Sequence, residues 1–555
     1  MSSTAVHPYE EKIHDDFVEN AVDDDEHTLD PIEDKYGGTY MWLIATSAAV
    51  GGLLFGYDLA IISGVLVMLG TSLDHHVLSS NQQELLTSIT SGGAFLGALM
   101  AGFMLDRFGR RTVIGIGAII FTLGSLIQAL SWSLAQMTVG RLVVGLGIGE
   151  AAMVAPIYIA EVAPAKLRGR LVSLDASAIT FGQCVANIFN IIFEHVDHGW
   201  RYSVALGCIP SILLLILCFI VPETPRHLIR KNKIDEAIRV TAKIYIHATP
   251  EEVESKVRKI RHKFEMEERY RELTFRQQLS LLYKDPANFK ALIIACGIMG
   301  IQQFAGSNTL IYYSPTLFGL VGFKNAIAVS IVITATNFAS GLLCLPYLDI
   351  FGRRRFINVT YWGCPIVLIV AAVAISYIPI SKDLTVADQK MTWAGVVVLV
   401  CTILFILFFA SALGNIPWQG NELFPMEVRS LGTMMLTLTC WGSNIVVSST
   451  YLSMMKNITP SGTFGFYAGI NLIGYLCIFF MYPEVSGMTL EQVKNIFEQK
   501  FGWPMVKYSV RLFKERKQAM KLKAAEANDS ADSSGVAGSL QSQPEQVPVA
   551  EEKGQ

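Results

Sequence analysis

Asp106-Arg107-Phe108-Gly109-Arg110-Arg111 returns later in the chain as Asp349-Ile350-Phe351-Gly352-Arg353-Arg354. Two other pieces return with it. Glu161-Val162-Ala163-Pro164, followed by Arg168, recurs as Glu422-Leu423-Phe424-Pro425, followed by Arg429. Pro222-Glu223 recurs as Pro483-Glu484, and both of these pairs stand 261 residues apart. Parts repeated once in the same order mean two copies of one substructure. What lies between them is apolar. Crossing the hydrocarbon core takes about 20 apolar residues per helix, and such runs occupy 40–66, 84–105, 112–131, 137–160, 170–193 and 201–221, then 290–314, 325–348, 356–378, 393–417, 430–454 and 464–482. The chain therefore reads as six spans plus six. Duplicated six-helix bundles around a central site are an architecture of secondary transporters.

Loop charge orients the spans. Arg107, Arg110 and Arg111 follow span 2, Lys166, Arg168 and Arg170 follow span 4, and Arg353, Arg354 and Arg355 follow span 8, whereas 67–83 and 132–139 hold no Lys or Arg. The positive-inside rule then places both termini in the cytoplasm. The expected organisation is a disordered acidic tail over 1–38, a six-helix bundle over 39–221, a cytoplasmic helical loop over 222–289, a second bundle over 290–482, and a tail over 483–555 that is basic and then disordered. Within the loop, Thr249-Pro250-Glu251-Glu252 reads as a helix start with a capping box. The sequon Asn457-Ile458-Thr459 falls outside, but Pro460 and the short loop argue against its glycosylation.

Composition excludes other classes. Of the 555 residues 52% are hydrophobic and 16% charged, where soluble proteins carry about 25% charged residues. Lys+Arg (44) nearly balances Asp+Glu (47), which gives no reason to expect a nucleic-acid partner. The nine cysteines lie singly in apolar stretches and the histidines do not, which speaks against a disulfide framework or a Cys/His zinc site. No GxxxxGK[ST] loop occurs, so a gradient rather than ATP is the expected energy source. With no nucleophile–base set and no metal set, an enzyme is not expected.

Over roughly residues 40–500 the chain resembles the sugar-porter branch of the major facilitator superfamily. The resemblance rests on Gly51-Gly52-Leu53-Leu54-Phe55-Gly56-Tyr57-Asp58, Gly140-Arg141 with Gly145, Gly147 and Gly149, Pro222-Glu223-Thr224-Pro225-Arg226, and Gln302-Gln303-Phe304-Ala305-Gly306-Ser307-Asn308 with Tyr312-Tyr313. Within the branch it looks most like fungal myo-inositol/proton symporters, through Leu73-Asp74-His75, Gly322-Phe323-Lys324-Asn325, Pro417-Trp418-Gln419, Asn457-Ile458-Thr459-Pro460 and Tyr482-Pro483-Glu484-Val485-Ser486-Gly487. The resemblance implies an all-α membrane protein of the major facilitator fold in the plasma membrane. Its implied task is proton-coupled import of a cyclic polyol, myo-inositol first among the candidates, with no cofactor and a monomer as the functional unit. A hexose or other polyol carrier and a non-transporting nutrient sensor are the alternatives.

An acid at mid-span costs roughly 2.5–3.5 kcal/mol on insertion scales, so Asp58 marks function by default. Arg141 in span 4 is the basic residue placed to face it. A carboxylate whose partner can leave couples protonation to a conformational cycle. The resemblance gives the same roles, Asp58 as proton acceptor and Arg141 as its gate; a static ion pair is the bland alternative. Polyols call for neutral groups that both donate and accept. Gln302, Gln303 and Asn308 at helical spacing on span 7, Gln183 on span 5 and Asn337 on span 8 provide them, with Phe55, Trp418 and Trp441 as apolar platforms and Tyr312 and Asn444 as further contacts. The alternative is that these residues only join helices. Glu161, Arg107 and Arg168, with Glu422, Arg353 and Arg429, fit a cytoplasmic ion-pair latch between the halves.

Three departures from hexose carriers bear on substrate. Asp175-Ala176 stands where an Asn-Gln pair is usual, which removes a sugar contact. Trp418 lies four residues before Glu422 where five is typical, and one residue turns a helix by about 100°, so a rearranged pocket is expected. Glu150 in span 4 reads as a second proton site, a neutral buried acid or an interhelical hydrogen-bond donor.

Overall fold

A computed structural model describes residues 31–36, 38–271, 275–380, 384, 391–411, 413–425, 428–486, 488 and 490–518. Most of both expected disordered tails lies outside the described residues. Twelve helices in the described chain are long and apolar enough to cross a membrane. Some begin before their apolar run does. Span 2 starts at Ser80 because Ser79 caps it: the Ser79 N–H donates to Gln82 Oε1 at 2.9 Å, and Gln82 N donates back to Ser79 Oγ.

The repeated motifs build one joint twice. Gly109 and Gly352 both have left-handed φ, +91° and +85°. After each, a helix starts with its N–H groups unpaired, and a distant glutamate takes them. Glu223 accepts from Arg110 N (3.0 Å) and Arg111 N, and Glu484 accepts from Arg353 N (3.2 Å) and Arg354 N (2.9 Å). A Cβ on Gly109 would stand 2.4 Å from Glu223 Oε2. Burial pushes the Glu223 carboxyl pKa up, and the backbone N–H groups of Thr224 and Arg110 oppose that.

Close crossings position the N-terminal bundle. At Gly56 in span 1 a Cβ would lie 1.7 Å from Ile179 O of span 5, and at Gly145 one would lie 2.2 Å from Thr90 O of span 2. Both glycines therefore serve helix crossings within the chain.

Four spans depart from the expected continuous helix: span 6 breaks between Ala205 and Cys208 and span 9 between Thr360 and Gly363, and spans 7 and 10 break beside a cavity. Span 7 is Pro286–Phe304 followed by Ser307–Leu320, broken where Gly306 takes φ +90°. The freed carbonyl of Ala305 accepts from Asn471 Nδ2 at 2.9 Å. Span 10 is an α-helix over Trp393–Ser411 and a 3-10 helix over Ile416–Leu423. Gln302 Nε2 donates to the Gly414 carbonyl in between at 2.9 Å. Broken helices at membrane depth need such partners. Trp418 thus sits on a 3-10 helix, and the expectation from an α-helical turn is corrected accordingly.

Between the halves stand Pro225–Arg230, Ile234–Ile244, Pro250–Arg271 and Phe275–Lys284. The Thr249/Glu252 capping box forms, and Glu252 also takes Lys35 Nζ at 2.7 Å. Lys35 and the hydrogen bond from Tyr245 to Glu33 tie residues 31–36 to this layer. That corrects the expected tail boundary: Ile32 supplies an apolar anchor, 4% exposed.

Candidate functional site

A cavity of about 200 Å³ lies between the two halves. Span 1 gives it Phe55, span 5 Gln183, span 7 Gln302, Gln303 and Asn308, span 8 Asn337, span 10 Trp418, and span 11 Trp441 and Asn444. Tyr312 is the one expected contact outside the lining; its hydroxyl donates to Asn444 Oδ1 at 3.2 Å from behind.

The amides form a network around Gln303. Its Oε1 accepts from Asn308 Nδ2 (2.7 Å) and from Asn444 Nδ2 (3.1 Å). Across the break at Gly306, Asn308 thereby reaches the same point that helical spacing was expected to give it. Asn337 Nδ2 donates to Gln183 Oε1 at 2.8 Å, from the opposite half. Phe55 and Trp441 meet edge to face at 5.4 Å, and Trp441 Nε1 is buried with no partner among the described residues. A buried N–H without an acceptor is costly. Trp441 lines the cavity, where the sequence reading expected an apolar platform.

Asp58, on the same span as Phe55 but outside the cavity lining, meets Arg141 of span 4. They are 4% and 1% exposed, and Arg141 Nη1 donates to Asp58 Oδ1 at 2.7 Å. Arg141 Nε donates to Leu86 O, while Asp58 Oδ2 has no partner among the described residues. One oxygen is paired and the other is bare, an arrangement that can take up a proton. Tyr312 links the two regions, bonded to Asn444 and within electrostatic reach of both Asp58 and Arg141. Glu150 is fully buried and neither carboxyl oxygen is bonded to a described residue, so the interhelical hydrogen-bond reading is corrected.

The arginine-rich end is assembled differently from the expectation. Glu161 is held by Arg110, at 2.8 Å, while Arg107 is exposed with its guanidinium over the Phe108 ring. The repeat carries the signal for this, since Arg110 aligns with Arg353, and Arg353 Nη1 holds Glu422 at 2.5 Å. Arg429 donates to the Phe424 carbonyl, and the Arg168 side chain lies outside the described residues. Both ion pairs are internal to their own half.

Hydrogen bonds between the halves run from the cavity toward the opposite, Lys/Arg-poor end. Ser91 Oγ donates to Asn444 Oδ1 (2.7 Å), Asn187 Nδ2 to Thr334 Oγ1 (3.1 Å), and Ser453 N and Oγ to the buried Glu84 (2.7 and 2.5 Å). Sequence reading missed Glu84; a carboxylate one turn into span 2 was its signal. Glu84→Ala removes two charge-assisted bonds of about 1.5–3 kcal/mol each. Hydrogen exchange over residues 449–457 is expected to accelerate at least about tenfold, and unchanged exchange would show that Glu84 is no latch.

The sequence profile described as "Sugar (and other) transporter" matches residues 44–497. The chain belongs to the sugar (and other) transporter family. It is a multi-pass membrane transporter, not an enzyme. Myo-inositol transporter 2 of Schizosaccharomyces pombe is 40% identical over 475 residues, covering 85% of this chain and 84% of its own. The xylose transporter XylE from E. coli, solved in a partially occluded inward open conformation, is similar with a TM-score of 0.68 at 26% identity, over 81% of this chain and 100% of that one. A structure described as the proton:xylose symporter XylE bound to 6-bromo-6-deoxy-D-glucose gives 0.69 at 26% identity, over 83% and 100%.

Proposed function

We propose that this chain is a proton-coupled importer of a cyclic polyol, with myo-inositol its substrate, working as a monomer in the plasma membrane with both termini cytoplasmic. The observation that carries this reading is a buried acid–arginine pair on the same span that gives Phe55 and Leu59 to an amide-rich cavity. Relatives named as myo-inositol transporters and a neighbour described as a proton symporter support it. Residues 39–221 and 290–482 act as the two moving halves. With the halves bonded at the Lys/Arg-poor end, the cavity faces the cytoplasm in this conformation.

In this cycle Asp58 takes a proton from outside, which weakens its hold on Arg141 and frees span 1 to move against span 4. Polyol hydroxyls exchange with the amide network of Gln183, Gln302, Gln303, Asn308, Asn337 and Asn444 while Phe55, Trp418 and Trp441 cover the ring. The import step then breaks a latch at the arginine-rich end, where Arg107, Arg110, Glu161, Arg168, Arg353, Glu422 and Arg429 lie, and forms the Glu84–Ser453 contact at the opposite end.

Selectivity tests the substrate. Ala176 lines the cavity where hexose carriers place an amide. In competition uptake, myo-inositol is expected to outcompete glucose clearly. Ala176→Gln, by adding one hydrogen bond of about 0.5–1.5 kcal/mol, should move the ratio roughly 2- to 12-fold toward glucose. A wild type that prefers glucose would replace the polyol reading with a hexose carrier.

A further inference from the structure

Asp175 is an acid that the transport cycle leaves unused. It lines the same cavity, from span 5, and is only 7% exposed. Its Oδ1 is buried with no hydrogen-bond partner among the described residues. The carboxyl occupies a notch opposite Gly52 of span 1, where a Cβ would stand 2.6 Å from Oδ1. Among the described residues no Lys, Arg or His lines the cavity, and Asp175 is its one acid. The polar residues beside it are neutral amides and hydroxyls. A carboxylate left this way in a site that closes around its ligand carries an uncompensated charge, and a charge taken out of water needs a partner. No described residue supplies one, and a cationic ligand would. A ring bearing an ammonium group in place of one hydroxyl meets that need, because it brings both the donor hydrogens and the opposite charge.

We propose that Asp175 binds substrate directly and admits amino-substituted cyclitols or sugars, in their cationic form, to the cavity. The proposal rests on the polyol reading for the position of the ring. It adds a second substrate class to that site. The neighbouring amides hold the remaining hydroxyls of a neutral and an amino-substituted ring alike, so the selectivity between the two lies with Asp175.

The test is equilibrium binding to the purified full-length protein with two matched pairs of probes: myo-inositol against an amino-deoxy inositol, and glucose against glucosamine, at neutral pH, where the amines stay largely protonated and the carboxyl can ionise. In the wild type the amine is expected to bind at least about tenfold more tightly than its parent, since bonds to charged groups exceed neutral ones by about that factor. Asp175→Asn and Asp175→Ala should each bring that ratio to about one or below; either variant alone suffices if the other fails to fold. A wild type that shows no preference for the amine overturns the proposal whether or not a variant folds, and so does a preference that survives both substitutions. If the preference appears with the glucose pair while neither inositol binds, the Asp175 assignment stands and the polyol reading falls. Binding of none of the four overturns both.

Discussion

Asp58→Asn is expected to abolish accumulation of substrate against its gradient while leaving exchange of substrate across the membrane. The asparagine keeps an oxygen for Arg141 Nη1, which now lies 2.7 Å from Asp58 Oδ1, but it cannot take up or release a proton. Without that step no work passes from the proton gradient to the substrate, and the accumulation ratio falls to about one. The substitution also leaves a guanidinium buried beside a neutral group, and breaking a buried pair from one side costs about 3–5 kcal/mol. Expression and binding are therefore measured alongside uptake, with counterflow of labelled substrate as the positive control. Concentrative uptake by the variant would remove Asp58 from the proton path.

Gln303→Ala has the next largest effect. Gln303 fixes the orientation of Asn308 and Asn444 as well as presenting its own amide. Its loss unpairs one substrate hydroxyl and releases two further amides, at a cost of about 1–3 kcal/mol, or roughly 5- to 150-fold in apparent affinity. The effect is expected in KM more than in the maximal rate, since the contacts hold the bound ring in every state. Unchanged affinity at normal expression would make Gln303 a brace between spans 7 and 11 only.

The twelve spans were legible because apolar runs of membrane length and repeated glycine-arginine turns are strong local signals. The Asp58–Arg141 pairing was legible for a related reason: two opposite charges inside a bundle have few places to go. The breaks in spans 7 and 10 were not, since Gly306 and Gly414 resemble many helical glycines until a distant Asn471 or Gln302 is seen to hold the freed carbonyl. The partner of Glu161 was misplaced on Arg107 although the repeat singled out Arg110. Glu84 and Asp175 have significance only through what faces them, Ser453 in one case and an unpaired cavity wall in the other.

A proton gradient is expected to drive polyol uptake through this chain. Purified protein in liposomes, acidic outside by one pH unit, is supplied with labelled myo-inositol at low concentration. One proton per substrate supports up to about tenfold accumulation, because one pH unit is worth about 1.36 kcal/mol. The expected result is accumulation toward that limit, collapsed by a protonophore and absent in Asp58→Asn liposomes. Equilibration of myo-inositol to a ratio of one, indifferent to the imposed gradient, would contradict it.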